Sequence, residues 1–558
     1  MKTSFLILLL LALPVIAETL IEIGEDGPLG NRAVRETALR SPLHEIEDSI
    51  NALYHRNGYL TAGAMAEIDS LPNGDVRVRI EVSSGPESVV ERYDIGGFPF
   101  ALPELEIAVG KPFIEAKLLK DMAKLAGSLE DRGFPFAAVN VETLAIGPAG
   151  TDEIPVRISL DVVPGDSVRI KQVIIPEDSK TKAHVVERLM LLDLPELYSE
   201  TRINKGLERI RDTGWLNVSG QPQLLLDETG FWLLRVPVSE GRSVTINGIL
   251  GFAPSPGSSG RLTGHLDAAF YNIAGTGREL TMIWDQVESE KMELGASYTE
   301  PWLLGGRGDV ALSGNYYSRD STYTRRSIAA EYSLPVSFSM KFIWGAAWRA
   351  VDPDSIGEYV HRIPTSREYS IEFGAEYGNL RPRINPRRGV FAKLALEGAY
   401  IQRTGQDFLF ETLDRNEPIM RTRGDFKTAV EVFREQVLFV GIHGRSALSK
   451  GPLPLSDRYY LGGWGSLRGY REEQFSAEHI GWSNLEWRAL LGPEAHGYIF
   501  FDSGIIRPSG EEEDLRFAYG AGLRLNTAIG RWDVSYGVST EGALTAGYLH
   551  VGLSAGFE

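Results

Sequence analysis

The sequence predicts a fold in two parts: N-terminal α+β repeats followed by an all-β transmembrane barrel of about 16 antiparallel strands. Three observations carry this. A Gly-aromatic pair recurs at residues 58, 133 and 214, each time after a segment of helical period. From about residue 244 the period changes to two, in stretches of about ten residues separated by turns. Beyond the first seventeen residues, no apolar run reaches the ~18 residues that a membrane helix needs.

Residues 1–17 read as a secretory signal peptide. Lys2 precedes an apolar stretch from Phe5 to Val15, and Val15-Ile16-Ala17 supplies the small-residue cleavage site. The stretch is short for ~30 Å of hydrocarbon, and Glu18, Glu22 and Glu25 follow it, which disfavours a retained membrane helix. The 558 residues suffice for several cores and include no cysteine, which excludes disulfide staples, thiol catalysis, cysteine-ligated zinc and cysteine lipidation. A net charge of −18 without any Lys/Arg-rich tract argues against a nucleic-acid partner.

In the first half, Gly58-Tyr59 follows Leu43, Ile46, Ile50, Leu53 and Tyr54; Gly133-Phe134 follows Leu118, Leu119, Met122, Leu125 and Leu129; Gly214-Trp215 follows Ile203, Leu207 and Ile210. Alternating strands come next, through Val76 to Val82, Val156 to Val162 and Trp232 to Val238. Each runs into a turn, at Ser84-Gly85-Pro86, Pro164-Gly165-Asp166 or Glu240-Gly241. A glycine able to turn left-handed stops the helix, the aromatic plugs the sheet, and a strand pair completes the module. The order strand, helix pair, Gly-aromatic, two strands, acidic-Gly turn resembles the POTRA domain, with modules at 18–85, 86–165 and 166–243. A run of unrelated α+β modules is the plain alternative. Such modules offer no chemistry; their use lies in sheet edges whose open backbone groups can pair with an extended chain.

Residues 244–558 read as the barrel. Leu262, Leu266, Ala268 and Phe270 alternate with Arg261, Thr263, His265 and Asp267; Tyr369, Ile371, Phe373, Ala375 and Tyr377 alternate with Glu368, Ser370, Glu372 and Glu376. Period alone does not say which face is inside. Strand length, Tyr316, Tyr400 and Trp532 near strand ends, and glycine and charge on the other face favour a membrane wall. About eleven strands before residue 455 and five after it give a closed barrel of ~16.

The most specific stretch runs from Tyr460 to Tyr470, with Leu467-Arg468-Gly469-Tyr470 at its tip. Glycines let such a loop pass close to a wall, and a guanidinium offers a rigid fork of donors to a carboxylate. Downstream stand Asn484-Leu485-Glu486 and Phe500-Phe501-Asp502-Ser503-Gly504. Together these resemble the Arg-Gly-aromatic loop motif and the FxDxG strand (Phe500, Asp502, Gly504) of the BamA/TamA superfamily, whose surface-antigen-type barrels follow POTRA modules. The resemblance implies that Arg468 meets Asp502, Glu486 or both inside the lumen; the alternative is an ordinary exposed turn. Glu300-Pro301-Trp302 and Asn385-Pro386-Arg387-Arg388-Gly389 resemble turns of the same barrels.

At the C-terminus Leu549, Val551, Leu553, Ala555 and Phe557 alternate with Tyr548, His550, Gly552, Ser554 and Gly556. This resembles the terminal strand signal of such barrels, marked here by Tyr548, Gly552 and Phe557, although Glu558 follows the aromatic. The first barrel strand carries Gly248 and Gly251, so a seam between first and last strands has few side-chain contacts and opens easily.

Gly552-Leu553-Ser554-Ala555-Gly556 matches the nucleophile-elbow pattern, but only two residues follow it, so a hydrolase order of Ser, Asp and His is absent. The nine histidines form no metal-binding spacing. The resemblance therefore implies no enzyme, cofactor or metal. It implies an assembly, insertion or translocation factor in the outer membrane of a diderm bacterium, closest in layout to the TamA branch, with periplasmic modules. Its partners would be unfolded outer-membrane or secreted clients, outer-membrane lipids and a periplasmic or inner-membrane accessory protein. A two-partner secretion-type transporter is the runner-up within the class. A passive porin would need no modules, and a barrel-anchored lipase would need a separate catalytic domain.

Overall fold

The computed structural model describes residues 19–24, 27–71, 75–148, 153–253, 261–286, 291–319, 322–382, 385–508, 510, 512–527 and 530–554. Residues 1–17 and Phe557 lie outside these. The chain divides into two compact units, residues 1–170 with 195–202, and residues 171–194 with 203–558.

The first unit opens with strand Thr19–Ile23, helices Gly30–Arg40 and Ile46–Arg56, and strands Gly63–Ser70 and Val76–Ser83. Strand Val76–Ser83 is central, parallel to Thr19–Ile23 and antiparallel to Gly63–Ser70. Its Val78 and Ile80 are fully buried, and Ile46, Ile50 and Tyr54, four residues apart on one helix face, pack over them. A second three-stranded sheet repeats the plan with Glu87–Gly96, Glu153–Val163 in the centre and Ala138–Ile146. All three marker glycines have positive φ, 96° at Gly58, 100° at Gly133 and 73° at Gly214, the conformation that glycine alone adopts without strain.

The second repeat departs from the expected helix pair. It has one helix, Glu115–Glu130, and no helix over residues 97–114. Pro99, Pro103 and Pro112 disfavour a helix there. Instead Asp121, fully buried on the remaining helix, accepts the backbone N–H groups of Glu106 (2.6 Å) and Ile107 (2.9 Å) and so ties the extended segment down.

In the second unit, Val185, Val186, Met190, Ile203, Leu207, Ile210 and Trp215 are buried around helix Ala183–Leu189 and the following helix, beside the antiparallel strands Gln223–Leu226 and Trp232–Arg235. This third module touches the near-side turns of the barrel. Arg188 Nη1 donates to the carbonyl of Gly305 (2.7 Å), Lys182 N to that of Gly275 (3.0 Å), and Arg381 pairs with Asp212 (3.2 Å).

The barrel wall is one antiparallel sheet of sixteen strands in sequence order, eleven before residue 455 and five after it. Strand lengths reach 18 residues in Asn416–Phe433, and several strands exceed the ten or so that hydrocarbon requires. The polarity of the wall is inverted relative to a soluble protein. In strand Thr365–Gly378, Tyr369, Ile371 and Phe373 are 56, 72 and 46% exposed, whereas Glu368 is 3% exposed. Glu368 is held by Arg421 (2.7 and 2.8 Å) and Arg349 (3.0 Å). Each large apolar side chain left in water forgoes ~1.5–3 kcal/mol. Repeated along the wall, that cost is relieved by lipid.

The expected closure is not made. Val244–Ala253 and Tyr548–Ser554 are the two edges of the sheet, with no pairing between them among the described residues. The glycines of the first strand, Gly248 and Gly251, leave few side-chain contacts to hold those edges together.

Candidate functional site: the lumen loop and its clasp

Residues 449–478 connect strands Gln436–Leu448 and His479–Gly492 on the side away from the third module, and they turn back along the wall. A short hairpin, Tyr459–Leu461 with Phe475–Ala477, forms the neck of the loop. Beyond it Leu467 and Tyr470 pack with Leu461, Ala477, Ile480, Ile506 and Ala518. The Tyr470 hydroxyl donates to the carbonyl of Phe517 (3.2 Å). This apolar docking aims the intervening Arg468 at the wall.

Arg468 is 4% exposed. Its Nε and Nη2 donate to the two oxygens of Asp502 (2.8 and 2.7 Å), and its backbone N–H reaches Asp502 Oδ2 (3.0 Å). Its Nη1 donates to Glu486 Oε1 (2.7 Å). The guanidinium thus meets both carboxylates at once. Strands His479–Gly492 and Ala495–Arg507 place them side by side, since Glu486 lies opposite Phe500 in the register and Asp502 opposite Asn484. The Phe500 ring lies 3.7 Å from the guanidinium carbon, adding a cation–π contact. Glu486 Oε2 accepts from Arg488 Nε (2.8 Å), so two arginines flank it.

Such a clasp performs no bond chemistry. It fixes a loop to a wall by charge-assisted, two-pronged hydrogen bonds in a place shielded from bulk water. Small residues let the loop approach. A Cβ on Gly504 would stand 3.0 Å from side-chain carbons of Leu461 and Leu467, and one on Gly537 would stand 2.6 Å from the backbone N of Gly469.

Sequence reasoning missed several participants. Asn484 Nδ2 donates both to Asp502 Oδ1 and to the carbonyl of Ser466 (2.8 Å each). Trp464 covers Gly552 on the last strand, and the Gly469 N–H points at His550 Nε2 (3.4 Å). On another strand, Lys291 reaches Glu473 of the loop at 2.7 Å. The glycine spacing of Gly520, Gly522 and Gly537 on neighbouring strands was the available signal for a close approach. Tyr548 pairs in register with Gly537, while Gly248 and Gly251 pair with Leu266 and Thr263.

An outer-membrane β-barrel whose own loop is clasped to its inner wall is the class that this geometry defines. A family profile for the Omp85 superfamily domain matches residues 272–556, and the chain belongs to that superfamily. It is 21% identical over 433 residues to a protein named outer membrane protein assembly factor BamA from Nitratidesulfovibrio vulgaris, covering 73% of this chain and 52% of that one. The chain therefore spans about half the length of that relative. Among solved structures it is similar to BamA from Haemophilus ducreyi lacking POTRA domains 1–3, with TM-score 0.50, 16% identity, and coverage of 80% of this chain and 94% of that one. CdiB from Escherichia coli matches with TM-score 0.49, 13% identity, and coverage of 94% of this chain and 96% of that one. The first of these structures has the same barrel fold.

Proposed function

We propose that this chain is an outer-membrane protein assembly factor. Its three modules, at 18–85, 86–165 and 166–243, stand in the periplasm and bind unfolded clients at their sheet edges. The barrel, 244–558, offers its unpaired edge strands as a template on which a client strand adds. The relative named as an assembly factor supports the reading. The observation that carries it is the pair of edges: among the described residues, Val244–Ala253 and Tyr548–Ser554 pair with a neighbouring strand on one side only, in a wall whose other strands pair on both. The chain acts by binding and release, without catalysis. Arg468, Asp502 and Glu486 keep the loop in the lumen while the edges work.

Seam locking tests this. Ile246 on the first strand and Val551 on the last both face outward, and the chain contains no competing cysteine. Paired cysteines there, or one or two residues along, form a disulfide when the edges meet. The locked protein should stay folded yet fail to assemble clients, and reduction should restore function. Full activity with the seam locked refutes templating. Depletion followed by outer-membrane proteomics separates the two routes: loss of many barrels supports assembly, whereas loss of one secreted protein supports two-partner secretion.

A further inference from the structure

The outer wall carries a charged notch. Arg326 has the same strand parity as the exposed Ile328, Asp352 as Trp344, and Arg367 as Tyr369, so all three face outward. In register, Arg326 and Arg367 flank Ala350, whose surface is fully covered. Both guanidiniums converge on Asp352: Arg326 through Nη2, and Arg367 through Nη2 at 2.9 Å. Arg367 Nη1 also donates to the carbonyl of Ser366 (2.8 Å). Two cations share one anion, and the Arg326 side chain is 52% exposed.

Below the notch lies an apolar shelf, one register row of Ile328, Trp348, Tyr369 and Tyr400 across four strands. The first barrel strand leaves the third module, so alternate strands end away from it. Asp352 near the end of the seventh strand, with Arg326 and Arg367 near the starts of the sixth and eighth, therefore marks the distal rim. Outward guanidiniums are costly in hydrocarbon and belong at a headgroup layer.

We propose that this notch binds the phosphate of a phosphorylated glycolipid in the leaflet distal to the modules, with the shelf carrying its acyl chains. The inference rests on the membrane orientation proposed above. A phosphomonoester, with nearly two charges and three acceptor oxygens, takes a fork from each guanidinium as Asp352 is displaced. A phosphodiester offers fewer oxygens for the same forks.

The test uses the full chain in nanodiscs, with bound lipid counted by native mass spectrometry. Lipid A should be retained about tenfold better than its dephosphorylated form or phosphatidylglycerol, and Arg326→Gln with Arg367→Gln should abolish that preference. Asp352→Asn keeps both guanidiniums and should increase retention, which guards against a double variant that merely misfolds. Equal retention of all three lipids, an unaffected double variant, or full competition by inorganic phosphate overturns the proposal. Orientation is tested separately. Asp407 lies fully exposed in the loop between Arg388–Thr404 and Asn416–Phe433, at the same rim. A cysteine there should react with an impermeant maleimide on intact cells; labelling only after permeabilisation refutes the orientation and leaves the nanodisc result standing.

Discussion

Trp464 of the lumen loop occupies the space that a side chain on Gly552 of the last strand would need, because a Cβ there would stand 2.7 Å from the indole ring. The loop that Arg468 clasps to the wall thus also rests on an edge of the sheet.

Gly552→Val should expel the indole and cost ~1–3 kcal/mol through overpacking. The loop should become sensitive to protease in detergent, and client assembly should fall. Adding Trp464→Ala should restore protease resistance if contact between these two residues is the cause.

Arg468→Ala leaves Asp502 and Glu486 buried without their shared cation, a loss of ~3–5 kcal/mol in fully buried pairs. Heat-modifiability and loop protection should both decline. Arg468→Lys should recover part of the loss, since an ammonium cannot make the two-pronged contact. Exchanging the charges, Arg468→Asp with Asp502→Arg, should recover more than either single change. Wild-type behaviour of Arg468→Ala in all these measurements and in client assembly would reduce it to a turn residue.

The Lys291–Glu473 pair is partly solvated, with side chains 22 and 29% exposed. A double-mutant cycle should give a coupling of ~0.2–1 kcal/mol, well below that of Arg468. A coupling equal to the Arg468 value would make this contact, rather than the clasp, the main anchor of the loop.

In the first unit, burial together with the hydrogen bond and charge of Glu200, and the charge of Asp131, pushes Glu130 up to about 7 from its ordinary 4.5. The folded chain keeps this proton where the unfolded chain has released it. Its stabilising contribution is therefore complete below about 4.5 and is lost as pH rises to about 7. Hydrogen exchange over helix Glu115–Glu130 in the full chain should show weaker protection at about pH 8 than at about pH 5, after correction for intrinsic rates. Glu130→Gln should flatten that difference; an unchanged profile would place the titrating group elsewhere.

Much of this fold is legible in the residues because local physics forces it. Gly58, Gly133 and Gly214 take a backbone turn that other residues resist, and period-two alternation shows in strands such as Arg388–Thr404 and Ala495–Arg507 of a wall whose faces meet different solvents. The missing helix of the second repeat was harder to read. Its prolines were visible, but Asp121 looks like a surface charge until the two backbone N–H groups that it receives are seen. At the site, Arg468 stood out by its glycine neighbours and the acids downstream. The Lys291–Glu473 contact joins residues 182 positions apart, and the pairing of Trp464 with Gly552 depends on how the sheet curves. Neither follows from local pattern.

Sixteen is an even number, and in an antiparallel wall it returns the chain to its starting face: Val244 enters and Ser554 leaves on the same side. Neighbouring strands are joined in pairs at the distal rim, as at the charged bend of Glu512, Glu513 and Asp514. Hairpins can be laid in one beside another, each covering the open backbone of the last, and the two outermost edges are left for whatever comes next.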